Sequence, residues 1–172
     1  MERLFLTKKQ IYRLKRNQAR LEKEFKVKIF IEGHNISLEG DSLEEYTAVR
    51  AIKLFCKGFD FKIVSLLEDE EYMTEEINIR DYAKHQRFIQ IRARIIGKEG
   101  RVLKTISELS NCAIKLIDNS VIIIGRTEDV DIAMNAIISL IRGSKHSSVY
   151  AKLEQKLVFD EDLGLKHKKQ AL

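Results

Sequence analysis

An internal repeat of 85 residues places the strongest constraint on how this chain can fold. When the sequence is shifted by 85 positions, its first part lies on its second part without a gap. Most matching positions carry apolar residues or glycines: Ile11 and Ile96, Arg16 and Arg101, Ile29 and Ile114, Leu38 and Ile123, Gly40 and Gly125, Ala48 and Ala133, Ala51 and Ala136, Ile52 and Ile137, Gly58 and Gly143. This repetition predicts two copies of one fold.

The second copy gives the order of elements most clearly. Its hydrophobic periodicity and β-branched runs predict a helix (102–111), two strands (113–117 and 121–124) and a long amphipathic helix (127–142). Thr127 is predicted to cap the long helix. In the first copy, Ser42 is predicted to cap the matching helix, with Glu45 completing a capping box.

A Gly-Lys-Glu-Gly tetrapeptide, residues 97–100, stands just before the first of these helices. Because glycine has no Cβ, Gly97 and Gly100 allow a tight turn and a close approach of the backbone to another molecule. The surrounding stretch 92–104 carries five cations and one acid, which are Arg92, Arg94, Lys98, Arg101, Lys104 and Glu99. A basic, glycine-flanked turn at a helix N-terminus is suited to a phosphate.

The order helix, GxxG, helix, strand, strand, helix resembles that of the K homology (KH) domain, an RNA-binding module. A nucleotide-binding P-loop is the main competing interpretation of the tetrapeptide. It needs a glycine five residues before the Gly-Lys pair and a Ser or Thr directly after it. Arg92 and Glu99 occupy these two places, so the sequence excludes a P-loop.

The predicted fold class is α/β (α+β), with two tandem KH domains and a C-terminal helix. Each domain is expected to pack a three-stranded antiparallel sheet against three helices. The chain is predicted to divide into a degenerate KH domain without GxxG (1–58), a connector (59–71), a KH domain with GxxG (72–158) and a basic tail (159–172). Further elements are predicted in the first domain: a helix pair (8–15 and 18–25) and a hairpin (27–31 and 35–39), followed by a connector helix (60–68). In the second domain, the predicted elements are a first strand (75–79), a helix leading to the turn (81–96) and a terminal helix (147–158).

The first copy has lost both glycines of the turn, because residues 97–100 fall on Tyr12-Arg13-Leu14-Lys15. Tyr12 and Lys15 cannot easily adopt glycine-only dihedrals or bring backbone amides against a phosphate. We therefore expect this copy to keep the fold but not the phosphate clamp. Its cations are equally compatible with nonspecific RNA contact and with a solvated helix face; they are Lys8, Lys9, Arg13, Arg16 and Arg20.

Composition narrows the function only slightly. A net charge of +5 favours an acidic partner, but many basic proteins bind no nucleic acid. Cys56 and Cys112 are isolated in apolar segments, and the four histidines are scattered, so no metal site and no cofactor is expected. No apolar run approaches 18 residues, which predicts a cytoplasmic protein. Paired carboxylates and a nucleophile with a base are not evident, so we do not expect an enzyme.

The tandem arrangement, the degenerate first turn, the Arg-Ile-Ile-Gly-Lys-Glu-Gly-Arg run and Val149-Tyr150 before a helix resemble the partner-of-Nob (Dim/Pno-type) family. The similarity extends over about residues 10–156 and favours the compact archaeal form. It implies a ribosome assembly factor that binds single-stranded RNA at the 3′ end of small-subunit ribosomal RNA. It also implies two protein partners, a Nob-type endonuclease and the α subunit of initiation factor two. Residues 144–148 depart from the family pattern, in which a Pro and a Gly are usual.

The resemblance and the chemistry of the turn together predict a set of RNA-binding residues. Backbone of the turn would hold phosphates, at Gly97, Lys98, Glu99 and Gly100, and added charge would come from Arg94, Arg101 and Lys104. Ile96, Ile106, Ile114 and Leu116 would frame an apolar floor for the bases, although these four are equally compatible with the protein core. The alternative function is a protein-binding adaptor, in which the first copy and the acidic segment 68–76 dock a nuclease or an initiation factor subunit.

Overall fold

The computed structural model describes residues 4–83 and 88–162 of the 172-residue chain, with side chains described as far as Lys156. The chain divides into two compact units, Met1–Glu70 and Glu71–Leu172. Within the described ranges, no helix is both long and apolar enough to cross a lipid bilayer. In the same ranges, His, Cys, Asp and Glu residues form no group that could hold a metal ion.

The first unit contains one three-stranded sheet. Its elements are β1 (Leu4–Phe5), α1 (Lys8–Phe25), β2 (Lys28–Glu32), β3 (Asn35–Glu39), α2 (Ser42–Cys56), α3 (Phe61–Ser65) and a 3₁₀ turn (Leu66–Glu68). The strands lie in the order β1-β3-β2, and both pairings are antiparallel. The segment after α2, predicted to be a connector, packs into this unit, because Phe59, Val64 and Leu67 are buried.

The second unit contains the other three-stranded sheet. Its elements are β4 (Tyr72–Asn78), α4 (Ile79–Tyr82), α5 (Phe88–Ile96), a 3₁₀ turn (Lys98–Gly100), α6 (Arg101–Ser110), β5 (Ala113–Ile117), β6 (Ser120–Arg126), α7 (Thr127–Ile141) and α8 (His146–Asp162). The strands lie in the order β4-β6-β5 and are antiparallel. The prediction of two three-stranded antiparallel sheets is confirmed.

The two units repeat their later elements at the predicted spacing. β2 and β5 begin 85 residues apart, as do β3 and β6, and α2 and α7. Lys26 and Asn111, each directly after a helix, adopt the same left-handed conformation with φ 51° and ψ 34°. The first strands follow a different spacing, because Leu4 pairs with Ile36 whereas Ile77 pairs with Val121. The second unit therefore has twelve more residues between its first strand and the matching hairpin.

The predicted helix pair of the first copy is wrong, because α1 is one uninterrupted helix of 18 residues. Without glycine at Tyr12 or Lys15, nothing interrupts the backbone hydrogen bonds of this helix. Leu14, Leu21 and Phe25 lie on one face and are almost fully buried, so packing holds the whole length in place. Thr7 begins the helix with a complete capping box to Gln10, which was not predicted.

Several predicted helix and strand ends are also wrong. β4 is Tyr72–Asn78 rather than 75–79, and Asn78 caps α4 by accepting from the amide of Arg80 at 3.0 Å. Ser42 and Thr127 are the first helical residues of α2 and α7, not their caps. The single helix predicted at 81–96 begins inside α4 and continues in α5, with residues 84–87 outside the described ranges.

The core of the second unit lies between its sheet and its helices. Strand β6 contributes the fully buried Ile123, and helices α5 and α6 contribute Ile95 and Ile106. Helix α7 contributes Ile137 and Leu140. Helix α8 adds Val149 and Leu153, as predicted, while Leu157 and the basic tail lie outside the described side chains. Burial raises the pKa of the Cys56 thiol to about 11 and that of the Cys112 thiol to about 12, so both thiols stay protonated at neutral pH.

Candidate nucleic-acid interface

The turn between α5 and α6 depends on left-handed backbone at three residues. Gly97 has φ 72° and ψ 179°, a combination that is essentially restricted to glycine. Glu99 and Gly100 follow with φ 57° and φ 76°. The Gly97 amide still donates to the Ala93 carbonyl at 2.8 Å, and the Gly100 amide donates to the Gly97 carbonyl at 3.3 Å. The chain therefore passes from α5 to α6 through a turn of four residues, Gly97 to Gly100.

The two glycines are required for different reasons. A Cβ placed on Gly97 would lie 2.2 Å from Cγ2 of Val102 and 3.0 Å from the Val102 amide nitrogen, so the first turn of α6 leaves no room for a side chain. A Cβ on Gly100 would meet no atom within 4 Å. Gly97 thus serves both conformation and packing, whereas Gly100 serves conformation alone.

The turn leaves two backbone donors without a backbone acceptor among the described residues. In the described part of the chain, the amides of Lys98 and Glu99 donate to no backbone carbonyl. They stand next to the N-terminus of α6, where the first helical amides also lack partners within the helix and the helix dipole favours negative charge. Adjacent free amides at a positive helix end form a concave donor site for an anion.

Side-chain charge at the turn is partly neutralised. Arg101 pairs with Glu99 at 2.9 Å, and Lys104 pairs with Glu108 at 3.7 Å. All four side chains are more than half exposed, so these pairs are weak and open readily. Lys98 is exposed and forms no ion pair with any described residue. Lys98 is therefore the cation most available to a ligand at this turn.

Arg94 does not point toward the turn. Its guanidinium group donates to the carbonyls of Gly143, at 3.1 Å, and Ser144, in the segment that joins α7 to α8. Nε2 of His146 lies 3.1 Å from the Arg94 carbonyl and donates to it. The Nε atom of Arg94 is itself buried, without a hydrogen-bond partner among the described residues. These contacts connect the last turn of α5 to the start of α8, three residues before Gly97.

Arg94→Lys is expected to lower the free energy of unfolding by about 1–3 kcal/mol, because an ammonium group cannot bridge the two carbonyls as the planar guanidinium does. Urea unfolding followed by circular dichroism measures this loss. Lysine keeps the positive charge, so a direct contact between Arg94 and a phosphate would be largely preserved. Unchanged stability would contradict the bracing role of Arg94.

The four predicted floor residues are in different environments, and Ile106 is fully buried in the core. Ile96 is 36 % exposed and adjoins the turn. Ile114 is 7 % exposed and belongs to the core, where it pairs with Ile123 across the sheet. Leu116 is half-buried and packs against the same core. The structure thus brings together Ile96, the turn and Arg101, with Lys104 one helical turn further along α6, and places Arg94 elsewhere.

Sequence reasoning missed three contacts of this region, made by Val102, Gly143 and His146. Val102 occupies the space next to Gly97, and only its position two residues after the tetrapeptide hinted at this. Gly143 and His146 lie 49 and 52 residues from Arg94, and no periodic pattern connects such positions. The departure of residues 144–148 from the family pattern was the one available signal.

The second unit matches a family model described as KH_PNO1_2nd, a eukaryotic type KH-domain (KH-domain type I), over residues 73–157. The KH domain-containing protein MJ0443 of Methanocaldococcus jannaschii is 32 % identical over 142 residues, which cover 78 % of this chain and 63 % of that protein. The RNA-binding protein pno1 of Drosophila pseudoobscura is 34 % identical over 105 residues, which cover 59 % of this chain and 44 % of that protein. The chain thus spans less than two thirds of the length of these relatives.

Solved structures match over more of the chain. Dim2p from Pyrococcus horikoshii superimposes with a TM-score of 0.79 at 30 % identity, covering 90 % of this chain and 98 % of that one. A protein of unknown function from Aeropyrum pernix, APE0754, has a TM-score of 0.80 at 21 % identity and supports the fold alone. With a KH domain at its GxxG turn and a similarity that extends over nearly all of Pyrococcus Dim2p, the chain belongs to the Dim2/Pno1 family of KH-domain proteins.

Proposed function

We propose that the protein binds single-stranded RNA through the turn of its second unit, at the 3′ end of small-subunit ribosomal RNA, during ribosome assembly and maturation of the precursor RNA. The observation that carries the proposal is the pair of free amides at Lys98 and Glu99, held by a glycine that packing makes indispensable. A relative supports precursor ribosomal RNA as the ligand, since it is named pre-rRNA-processing protein PNO1, from Phaeosphaeria nodorum.

The geometry suits an unpaired strand. The free amides and Lys98 would hold a phosphate, and a KH turn of this kind clamps about four nucleotides by their backbone. Bases on the strand would then pass over Ile96 toward β5, which among the described strands pairs with β6 alone and so keeps unpaired backbone groups along its other side. Duplex RNA cannot enter in this way, because its bases are already stacked and paired.

The proposed domain organisation is a pair of KH domains in which the first, at residues 1–58, has lost its turn, and the second spans 72–158. The role requires no catalytic step, so we propose a binding protein and not an enzyme. Ribosome assembly on this scheme takes place in the cytoplasm. The predicted Nob-type endonuclease remains part of the proposal through the family resemblance alone.

A protein-docking role is the second candidate function. A solved structure at 30 % identity contains Dim2p of Pyrococcus horikoshii together with a/eIF2alpha and rRNA. We propose that this chain likewise joins the α subunit of initiation factor two to RNA. An adaptor role predicts protein binding that survives mutation of the turn, whereas RNA binding does not survive it.

The test compares three labelled RNAs: a single strand with the 3′-terminal small-subunit sequence, a scrambled strand of equal length, and a duplex of the first strand. We expect the first to bind most tightly and its affinity to fall with salt. If the duplex bound as tightly as the strand, and Lys98→Asp with Glu99→Asp weakened both equally, single-strand binding at the turn would be overturned. Equal affinity for the terminal and scrambled strands would overturn the assignment to the ribosomal 3′ end.

A further inference from the structure

Helix α1 of the first unit presents an unusual outward surface. Its buried residues, Leu14, Leu21 and Phe25, lie on one side. The opposite side carries five exposed cations, which we call the α1 basic face: Lys8, Lys9, Lys15, Arg16 and Lys23. The helix has no acidic residue in its first turn and carries seven Lys or Arg against two Glu in all. Positive charge therefore dominates this side over the length of the helix.

The charge of the α1 basic face is not used within the described part of the protein. None of its five residues forms an ion pair with another described residue. Glu22 is turned toward the sheet, where its Oε1 accepts from the Ile29 amide at 2.9 Å and from Gln18 at 3.0 Å. The cations consequently remain available to an external anion.

Two other arginines of α1 differ from this face, because each contacts residues of the protein itself. Arg13 donates to the Phe59 carbonyl at 2.7 Å and lies 4.5 Å from the centre of the Phe55 ring. Arg20 lies 3.7 Å from the centre of the Phe61 ring. These two side chains hold α1 against the segment after α2. In the α1 basic face, the corresponding packing is limited to Arg16, 5.8 Å from the exposed Tyr12 ring.

The shape of this surface indicates which anion it fits. An uninterrupted helix is rigid, and at 1.5 Å per residue Lys9 and Lys23 lie about 21 Å apart along its axis. The helix has neither a glycine turn nor a groove that could hold an unpaired base. A fixed row of cations matches phosphates that are already fixed in space, as in a double helix, whereas a flexible strand would first have to be ordered at an entropic cost.

We propose that the α1 basic face docks on the phosphate backbone of double-helical RNA, without reading its sequence. Phosphate contacts from Lys and Arg supply most of the affinity in such binding, and no apolar anchor is needed. A protein partner fits less well, because stable protein interfaces have an apolar, aromatic centre and few lysines, whereas this face carries four lysines beside a single exposed aromatic ring, that of Tyr12. The first unit thus contributes a duplex-binding surface of its own, independent of the turn in the second unit.

The test uses the full chain and a blunt RNA duplex of about 16 base pairs, titrated at several salt concentrations. One variant combines Lys9→Gln, Arg16→Gln and Lys23→Gln. Its matched control combines Lys26→Gln, Lys28→Gln and Lys62→Gln, three exposed lysines of the same unit outside the α1 basic face. Glutamine keeps helix propensity, and both variants lose three charges. Circular dichroism first establishes that both are folded.

We expect the α1 variant to bind the duplex about 30-fold more weakly and to reduce the slope of log affinity against log salt by about 2–3, as for three lost phosphate contacts. The control should lose less than about threefold. Equal losses in the two variants would overturn the proposal, since binding would then follow net charge alone. Duplex binding that is abolished by Lys98→Asp with Glu99→Asp, or a loss confined to single strands, would also overturn it.

Discussion

Gly97→Ala is expected to cause the largest loss of both stability and RNA binding among single substitutions at the turn. The backbone conformation at this position costs a non-glycine residue about 1–3 kcal/mol. The added methyl group would lie 2.2 Å from Val102, and relieving that overlap costs about another 1–3 kcal/mol. Relief requires movement of Val102 and the start of α6, so the two free amides lose their alignment. Urea unfolding and titration of a labelled single strand measure the two effects.

Gly100→Ala is the matched control, because its left-handed φ of 76° is similar but a Cβ there would meet open space. We expect a loss of about 1 kcal/mol, from conformational strain alone. The difference between the two variants reports the overlap with Val102 together with the extra strain at Gly97, whose ψ is 179° whereas that of Gly100 is 8°. Equal destabilisation by both would mean that backbone strain is the whole effect and that Val102 does not fix the turn.

Replacing both Lys98 and Glu99 by Asp is expected to weaken single-strand binding by roughly 5- to 150-fold, the equivalent of about 1–3 kcal/mol. The change removes the available cation of the turn and adds an acid beside the phosphate. Both glycines stay, and Asp tolerates the left-handed backbone of Glu99 better than most residues do. Fluorescence titration at two salt concentrations measures the loss after circular dichroism has established the fold.

The control for this variant must come from an exposed residue of α1. Arg13 occupies the position equivalent to Lys98, but its bond to the Phe59 carbonyl means that its removal would also disturb packing. Lys15→Asp is the better choice, since Lys15 is exposed and lies in the same region of the repeat. A small loss that disappears at high salt is expected. If the control lost as much single-strand affinity as the turn variant, diffuse charge would have to replace the clamp as the explanation.

The sequence predicted helices and strands best where the hydrophobic periodicity and the residues at the element ends indicated the same bounds. β5, β6 and α7 were located within about two residues, because runs of Ile and Val and a long amphipathic pattern mark them. The helix pair in α1 was inferred by transfer from the second copy. Leu14 and Leu21 fit either one helix or two, and the loss of the glycines removes the turn altogether instead of altering it.

In the candidate site, too, features that depend on neighbouring residues could be predicted from the sequence, and features that depend on distant residues could not. Gly97, Lys98 and Gly100 could be assigned from their spacing, since the conformation of a short turn depends on its own residues. The destination of Arg94 could not, because it depends on two carbonyls of the α7–α8 junction. The sequence alone cannot assign Ile114 to the floor or to the core, because an apolar residue on a strand has the same sequence signature in both places.

The continuous form of α1 limits how the clamp could be re-engineered in the first unit. Only four residues of α1, Lys8–Ile11, precede the positions equivalent to 97–100, whereas α5 supplies nine described residues before its turn. Introducing glycine at Tyr12 and Lys15 would therefore leave a single helical turn on the N-terminal side, too short to persist alone. A phosphate-binding turn would also need the missing twelve-residue segment, so divergence of the first copy is not reversible by point substitution.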